Sequence, residues 1–315
     1  MPGNVYLHAR TPVKGGMAKG IALVSVLWVI VLLSLMAAAI STTSRSSGQL
    51  TNNLRYATQA RYAAEAGVQW AFWGLQIPAN QIPWLADGAI YEMPLSGMLV
   101  QVAVVDENGK IDLNAATEAM LKPLLIAAEV EDAKIDSLVD AILDWRDEDD
   151  LTRLNGAEDD DYLQAGLEWE AKDAPFESIL ELRRVLGMDE QVFRTIKGSV
   201  TVHSGKQAVN PLVAPKLVLM ALSGIDEFQA EQYIEERRRL HSEGEKPSDQ
   251  LLTSPFFSTS MRGLNYTIHT QAVIDPQIRS GMSVVVRRQG RHVETRFRVL
   301  DIEPIQREIF SATEL

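Results

Sequence analysis

The chain has 315 residues, 46% of them hydrophobic and 23% charged, with a formal net charge of −12 and no cysteine. That length allows two or three domains, each with its own core. The missing cysteine excludes disulfides, thiolate metal sites and a cysteine nucleophile, and the acidity disfavours nucleic acid and anionic lipid surfaces as partners of the folded part.

The first twenty residues hold Arg10, Lys14 and Lys19 and no acid. An uncharged run follows from Ile21 to Ile40. Twenty helical residues span about 30 Å, the thickness of a bilayer's hydrocarbon core. The basic flank places the N-terminus in the cytoplasm and the remainder outside. Ala37-Ala38-Ala39 would offer a secretory cleavage site, although the apolar run exceeds the roughly 7–15 residues usual for such a signal. Beyond it, residues 41–75 contain no proline, and Leu50, Leu54, Ala57, Ala60, Ala64, Val68, Ala71 and Leu75 recur at steps of three and four. This stripe predicts that the helix continues outward, for about 55 residues or ~80 Å in all.

Next, MLVQVAVV at 98–105 reads as a strand, and Asn108-Gly109 followed by alternating Ile111-Asp112-Leu113-Asn114 predicts a β-hairpin. From Ala115 the pattern becomes short helices, around Leu121 to Ile126, Ile135 to Leu143 and Ile179 to Leu186, the last closed by Gly187. A comparable unit follows, with Leu217 to Leu222, Gly224-Ile225 and a helix through Phe228, Tyr233 and Ile234. Leu113-Asn114-Ala115-Ala116 is echoed by Val209-Asn210-Pro211, so the two helical units look related. Strands return at 265–274, 282–288 and 292–300, the last two about a turn at Gln289-Gly290. The plan is α+β: long helix, small antiparallel sheet, helical insertion, sheet completed.

The most heavily charged segment is DWRDEDDLTRLNGAEDDDYL, residues 144–163, with nine carboxylates against Arg146 and Arg153. Asp144 and Asp147 are three apart and share a face if the helix persists, and Asn155-Gly156 can turn the second acidic group back on the first. Crowded carboxylates repel, and a hard divalent cation relieves the repulsion in an irregular loop; a solvated acidic loop fits the composition equally well. The five histidines are scattered, and no zinc, phosphate-loop or nucleophile-elbow motif is present. No catalytic residues are expected. Arg237-Arg238-Arg239 is a lone basic run, read as a solvated helix end.

The N-terminus resembles the type IV pilin-like proteins. Lys19-Gly20 followed by Ile21-Ala22-Leu23-Val24 looks like their prepilin peptidase site, and Tyr62-Ala63-Ala64-Glu65-Ala66-Gly67-Val68 is similar to a segment of their helices. The resemblance implies cleavage between Gly20 and Ile21, and N-methylation of Ile21. It also implies glutamate at the fifth mature position, where this chain has Ser25. That substitution, the interrupting helical insertion and the Asp144-Trp145-x-Asp147 and Gly156-Ala157-Glu158-Asp159 phrases resemble the protein K family of type II secretion minor pseudopilins.

The implied fold is a pilin-like long helix on a small antiparallel sheet, interrupted by a large all-α insertion of SAM-like or helix-hairpin-helix-like units. The implied domains are a leader at 1–20, a membrane span at 21–40, the outer helix at 41–76, the first β part at 77–114, helical units at about 115–205 and 208–260, and closing strands at 261–315. The family further implies structural Ca2+, on Asp144, Asp147, Asp149, Glu158 and Asp159, with Asp150, Asp160 and Asp161 in reserve. It implies a single-pass inner-membrane protein, mostly periplasmic, at the pseudopilus tip. Its partners would be minor pseudopilins H, I and J, the major pseudopilin, the prepilin peptidase and a secretin or cargo, with no nucleic acid. A minor pilin of a type IV pilus and a helix-hairpin-helix DNA-binding or DNA-uptake protein are the alternative readings.

Overall fold

The structure is a computed structural model that describes residues 18–77, 81, 84–245, 253–261, 263–275, 278–290 and 296–305. The leader segment 1–17 and His8, His292 and the expected turn residues 291–295 lie outside the described residues. Helix α1 runs unbroken from Ala18 to Gly74, as the lack of proline and the recurring apolar steps require. The chain divides into two compact units, residues 1–56 and 57–315.

In the first unit, Ala22–Ser41 is long and apolar enough to cross a membrane, and its side chains are exposed. Ser25 Oγ donates to the Ala22 carbonyl at 3.1 Å. An apolar helix satisfies a hydroxyl in this way. Gly20 and Ile21 are within α1.

In the second unit, the alanine-rich end of α1 lies on a five-stranded antiparallel sheet. The strands are β1 (Asp87–Leu95), β2 (Met98–Asp106), β5 (Asn265–Asp275), β6 (Ile278–Arg288) and β7 (Phe297–Ile305), in the order β1-β2-β5-β6-β7. Ala60, Ala64, Val68 and Ala71 meet Val100, Val102, Val104, Ile268, Val284 and Val286 in one apolar core. Small helix side chains allow this close seating on β-branched strands. Phe72 stacks on Phe297 with centroids 4.7 Å apart. Edge strand β7 is blunted: Asp301 Oδ1 accepts from the Ile302 N–H at 2.8 Å, and Pro304 offers no N–H.

The expected hairpin at 98–114 does not form. The partner of β2 is the preceding strand β1, joined through Ser96 and Gly97, both at positive φ (51° and 82°). Two consecutive positive-φ residues suit the right-handed twist of a two-residue hairpin. Asn108-Gly109 instead lies in a 3-10 turn capped by Asp106, and the Asn108 carbonyl accepts from Asn210 N–H at 2.8 Å. The short strand β3 (Ile111–Asp112) then pairs in parallel with β4 (Val200–Thr201).

Between the neighbouring strands β2 and β5 is the helical part: α2 (Glu118–Ala127), α3 (Asp132–Asp144), α4 (Asp159–Gln164), α5 (Glu190–Ile196), α6 (Lys216–Ser223) and α7 (Glu227–Ser242). Its separate core joins Leu121, Leu124, Leu138, Ile142, Phe193 and Leu219, among others. The helix expected near 179–186 is a 3-10 turn, Ile179–Arg184, before Gly187.

The basic run at 237–239 is not a solvated helix end. Arg237 is buried and donates through Nε and Nη2 to Asp87 Oδ2 at 3.2 and 3.0 Å. Its Nη1 donates to the carbonyls of Ala214 (2.7 Å) and Pro211 (3.1 Å). Arg238 also donates to Asp87, at 2.8 Å, and Arg239 sits between Glu236 and Glu243. The run thus ties α7 to the start of β1, and its cations are engaged within the chain rather than presented to phosphate.

Candidate functional site

The site is built on the end of α3. Ile135, Leu138, Val139 and Ile142 bury one face of that helix, and the periodicity carries Asp144 inward with them, where its side chain is wholly buried. A carboxylate at a helix C-terminus meets the negative end of the helix dipole, so it needs donors. Asp144 Oδ2 accepts from the backbone N–H groups of Ala157 (3.0 Å) and Arg153 (3.1 Å). One turn earlier, Asp140 Oδ2 accepts from Asn155 N and Nδ2, both at 3.1 Å. The loop is thereby folded back on α3, and a Cβ at Gly156 would overlap Asp144 Oδ2. Arg146 does not neutralise the acids: it donates to the carbonyls of Leu113 and Ala116.

The returning loop delivers Glu158 as the N-cap of α4, in a capping box with Asp161, whose Oδ2 accepts from the Glu158 N–H at 3.1 Å. Glu158 is buried. Burial, reinforced by the charges of Asp144, Asp173, Asp147 and Asp159, pushes its carboxyl up to about 7. Burial also raises Asp144, Asp147 and Asp173, each with neighbouring carboxylates adding to the shift. Four buried oxygens receive no hydrogen bond: Asp144 Oδ1, Asp147 Oδ1, Glu158 Oε1 and Asp173 Oδ1. Arg153 Nε is 3.0 Å from Asp144 Oδ1, but its N–H is not aligned to donate, so proximity alone does not satisfy that oxygen.

Of the expected ligands, the fold therefore brings Asp144, Asp147 and Glu158 into one electrostatic cluster. Asp149 is exposed and its Oδ1 accepts from Leu151 N–H at 3.0 Å; Asp159 is exposed and its Oδ1 accepts from Ala171 N–H at 3.1 Å. Asp150 and Asp160 are exposed, and Asp161 serves the capping box. The sequence reading missed Asp173, which stands ten residues beyond the acidic run at φ +52°. No compositional signal marks it; only the fold carries it back. The cluster offers hard, unpaired oxygens of the kind a divalent cation takes. As they stand, no three His, Asp or Glu side chains among the described residues converge closely enough to hold an ion.

Residues 99–205, from β2 through the acidic loop to β4, match the family described as type II secretion system (T2SS), protein K. Type II secretion system protein K of Dickeya chrysanthemi is 24% identical over 279 residues, covering 70% of this chain and 77% of that protein. The protein of the same name from Pseudomonas aeruginosa is 25% identical over 242 residues, covering 70% and 72%. Among solved structures, the crystal structure of the GspK-GspI-GspJ complex from the enterotoxigenic Escherichia coli type 2 secretion system matches with a TM-score of 0.54. The identity there is 18%, over 84% of this chain and 99% of that chain, and the likeness is one of fold. With the long helix on an antiparallel sheet and the helical part set between two neighbouring strands, these matches lead to one conclusion: the chain is similar in sequence over residues 99–205, and in fold over most of its length, to type II secretion system protein K.

Proposed function

We propose that this chain is a minor pseudopilin, that it occupies the tip of the pseudopilus and that it acts by assembly rather than catalysis. The observation that carries the reading is the helical part of residues 107–264, inserted between strands β2 and β5 of a pilin-like sheet. Such bulk on one subunit obstructs another subunit above it. Ser25 agrees with that position: a buried carboxylate in lipid needs a cationic partner, and a terminal subunit has no neighbour above to supply one. Ala22–Ser41 anchors the precursor in the inner membrane, with the larger unit in the periplasm. The peptidase cuts between Gly20 and Ile21, and Ile21 becomes the N-methylated terminus.

The partners are other minor pseudopilins, of the I and J kind named in the similar complex and an H-type subunit, followed by the major pseudopilin; the secretin or a cargo protein faces the tip. Asp144, Asp147, Glu158 and Asp173 would hold Ca2+, with Asp149, Asp159, Asp150, Asp160 or Asp161 completing the shell from the rim. The ion's role is structural: it would coordinate the four buried oxygens that receive no hydrogen bond and add to the charge of Arg153 beside them.

Mass spectrometry of the mature protein tests the membrane half of this reading. A mass starting at methylated Ile21 is the expected result; a start at Ser41 means ordinary secretion and sinks it. Detergent co-purification with I- and J-type subunits, rather than with type IV pilus components, tests the assembly half. Calcium titration calorimetry on the full chain tests the ion, with Gly156→Ala expected to abolish the heat because its Cβ displaces the loop from Asp144.

A further inference from the structure

The acidic loop also displays three large apolar side chains to solvent. Leu151 is 76% exposed, Leu154 is 96% exposed and Leu163, on α4, is 71% exposed. Single exposed leucines are ordinary on protein surfaces, but these three fall within thirteen residues of one loop, and the loop is not slack. Asp149 holds the Leu151 N–H, Asp144 holds those of Arg153 and Ala157, and Asp140 holds Asn155 on both its backbone and its amide. Leu154, between Arg153 and Asn155, is therefore presented from a backbone pinned on both sides.

The charge around these leucines has one sign. Glu148, Asp149, Asp150 and Asp160 are exposed, and none of them forms an ion pair among the described residues. The two cations of the segment are committed elsewhere, Arg146 to carbonyls and Arg153 to Asp144 and Asp147. Nine carboxylates at 144–163 outnumber Arg146, Arg153 and one divalent ion together, and apolar side chains framed by that excess select their counterpart: an apolar depression with lysine or arginine on its rim. An anionic lipid surface is repelled by the same frame.

We infer that Leu151, Leu154 and Leu163 form a docking surface for a partner protein with an apolar depression rimmed by basic residues. The surface stands on the geometry of the loop; only its cellular readout rests on the pseudopilin reading.

The test places the photo-cross-linker p-benzoylphenylalanine at position 154 of the full chain in secreting cells, with the exposed position Gln191 on α5 as control. The expected result is an adduct with one protein at position 154 and none at 191. The joined peptide should contain apolar residues next to lysine or arginine. Adduct yield in isolated membranes should fall about fivefold between roughly 0.05 M and 0.5 M salt, as screening removes the charge attraction. Leu151→Ser should lower it comparably without moving the melting temperature. No adduct beyond the control, an adduct to lipid, an adduct insensitive to salt, or one to a peptide without basic residues overturns the proposal.

Export separates the two levels. If deleting the whole chain leaves export intact, the pseudopilin reading fails. If deletion stops export while Leu151→Ser with Leu154→Ser leaves it normal, this proposal alone fails. Leu154→Met, which keeps the apolar bulk, should export as wild type.

Discussion

Two buried charge clusters in this molecule are built alike and finished differently. At the start of β1, Asp87 accepts from Arg237 and Arg238, holds the Ala89 N–H on its other oxygen, and Arg237 spends its remaining donors on two carbonyls. At the end of α3, Asp144, Asp147, Glu158 and Asp173 each keep a buried oxygen with no donor. The first cluster is complete within the chain and needs nothing further. The second sets four carboxylates against Arg153, which lies near Asp144 and Asp147 without donating to the open oxygens, while Arg146, close in sequence, points to carbonyls instead. Burial of charge is thus not the mark of a ligand site here; burial without a partner is.

The largest expected effect tests the complete cluster. Asp87→Ala leaves Arg237 buried and unpaired, which costs about 3–5 kcal/mol. Thermal melting of the detergent-solubilised chain should show that loss equally with and without calcium; a calcium-dependent loss would break the distinction between the clusters. Next, calcium at about 100 times its dissociation constant should stabilise the wild type by about 2.7 kcal/mol and should do nothing for an Asp144→Asn, Glu158→Gln double variant.

The third expected effect is on pH. Glu158 titrates in the fold at about 7, above its ordinary 4.5. The folded state therefore holds the proton more tightly than the unfolded chain, and its stabilising contribution is full below about 4.5 and lost as pH rises through 7. Calcium-free protein should lose about 3 kcal/mol over that window, Glu158→Gln should flatten the profile, and calcium should reverse it. The smallest effect sharpens the boundary of the site: Asp173→Asn should weaken the calcium response severalfold, whereas Asp160→Asn, on the exposed rim, should change stability by less than about 0.5 kcal/mol.

The long helix, the helical part and the closing strands were legible in the sequence because each depends on local periodicity: steps of three and four in 50–75, alternation in 265–274. Three of the four acids of the buried cluster were legible for the same reason, since α3's spacing fixes Asp144 and sets Asp147 beside it, and Asn155-Gly156 announces the return of Glu158. What escaped notice depends on contacts distant in sequence. Asn108-Gly109 carries a hairpin signal that is overridden by the bond from Asn210, while the true turn, Ser96-Gly97, has a weaker local signature. Asp173 joins its cluster only through the path of the chain after α4. Arg237 reads as one of three exposed basic residues until Asp87, 150 positions away, is set against it.

The placement of the helical part has a consequence for how the molecule folds. Asp106 and Tyr266 are register partners on adjacent strands, yet the chain between them makes an entire second core. Joining β2 to β5 directly would close a loop of that length against its entropy, and such non-local pairing is slow. A helical part that folds first delivers its two ends about one strand spacing, roughly 4.8 Å, apart, and the central pairing then closes like a zip already held at its base. In pulse-labelled hydrogen exchange, amides of α2, α3 and α6 should gain protection before those of β5; the opposite order would show that the sheet forms without waiting for its insert.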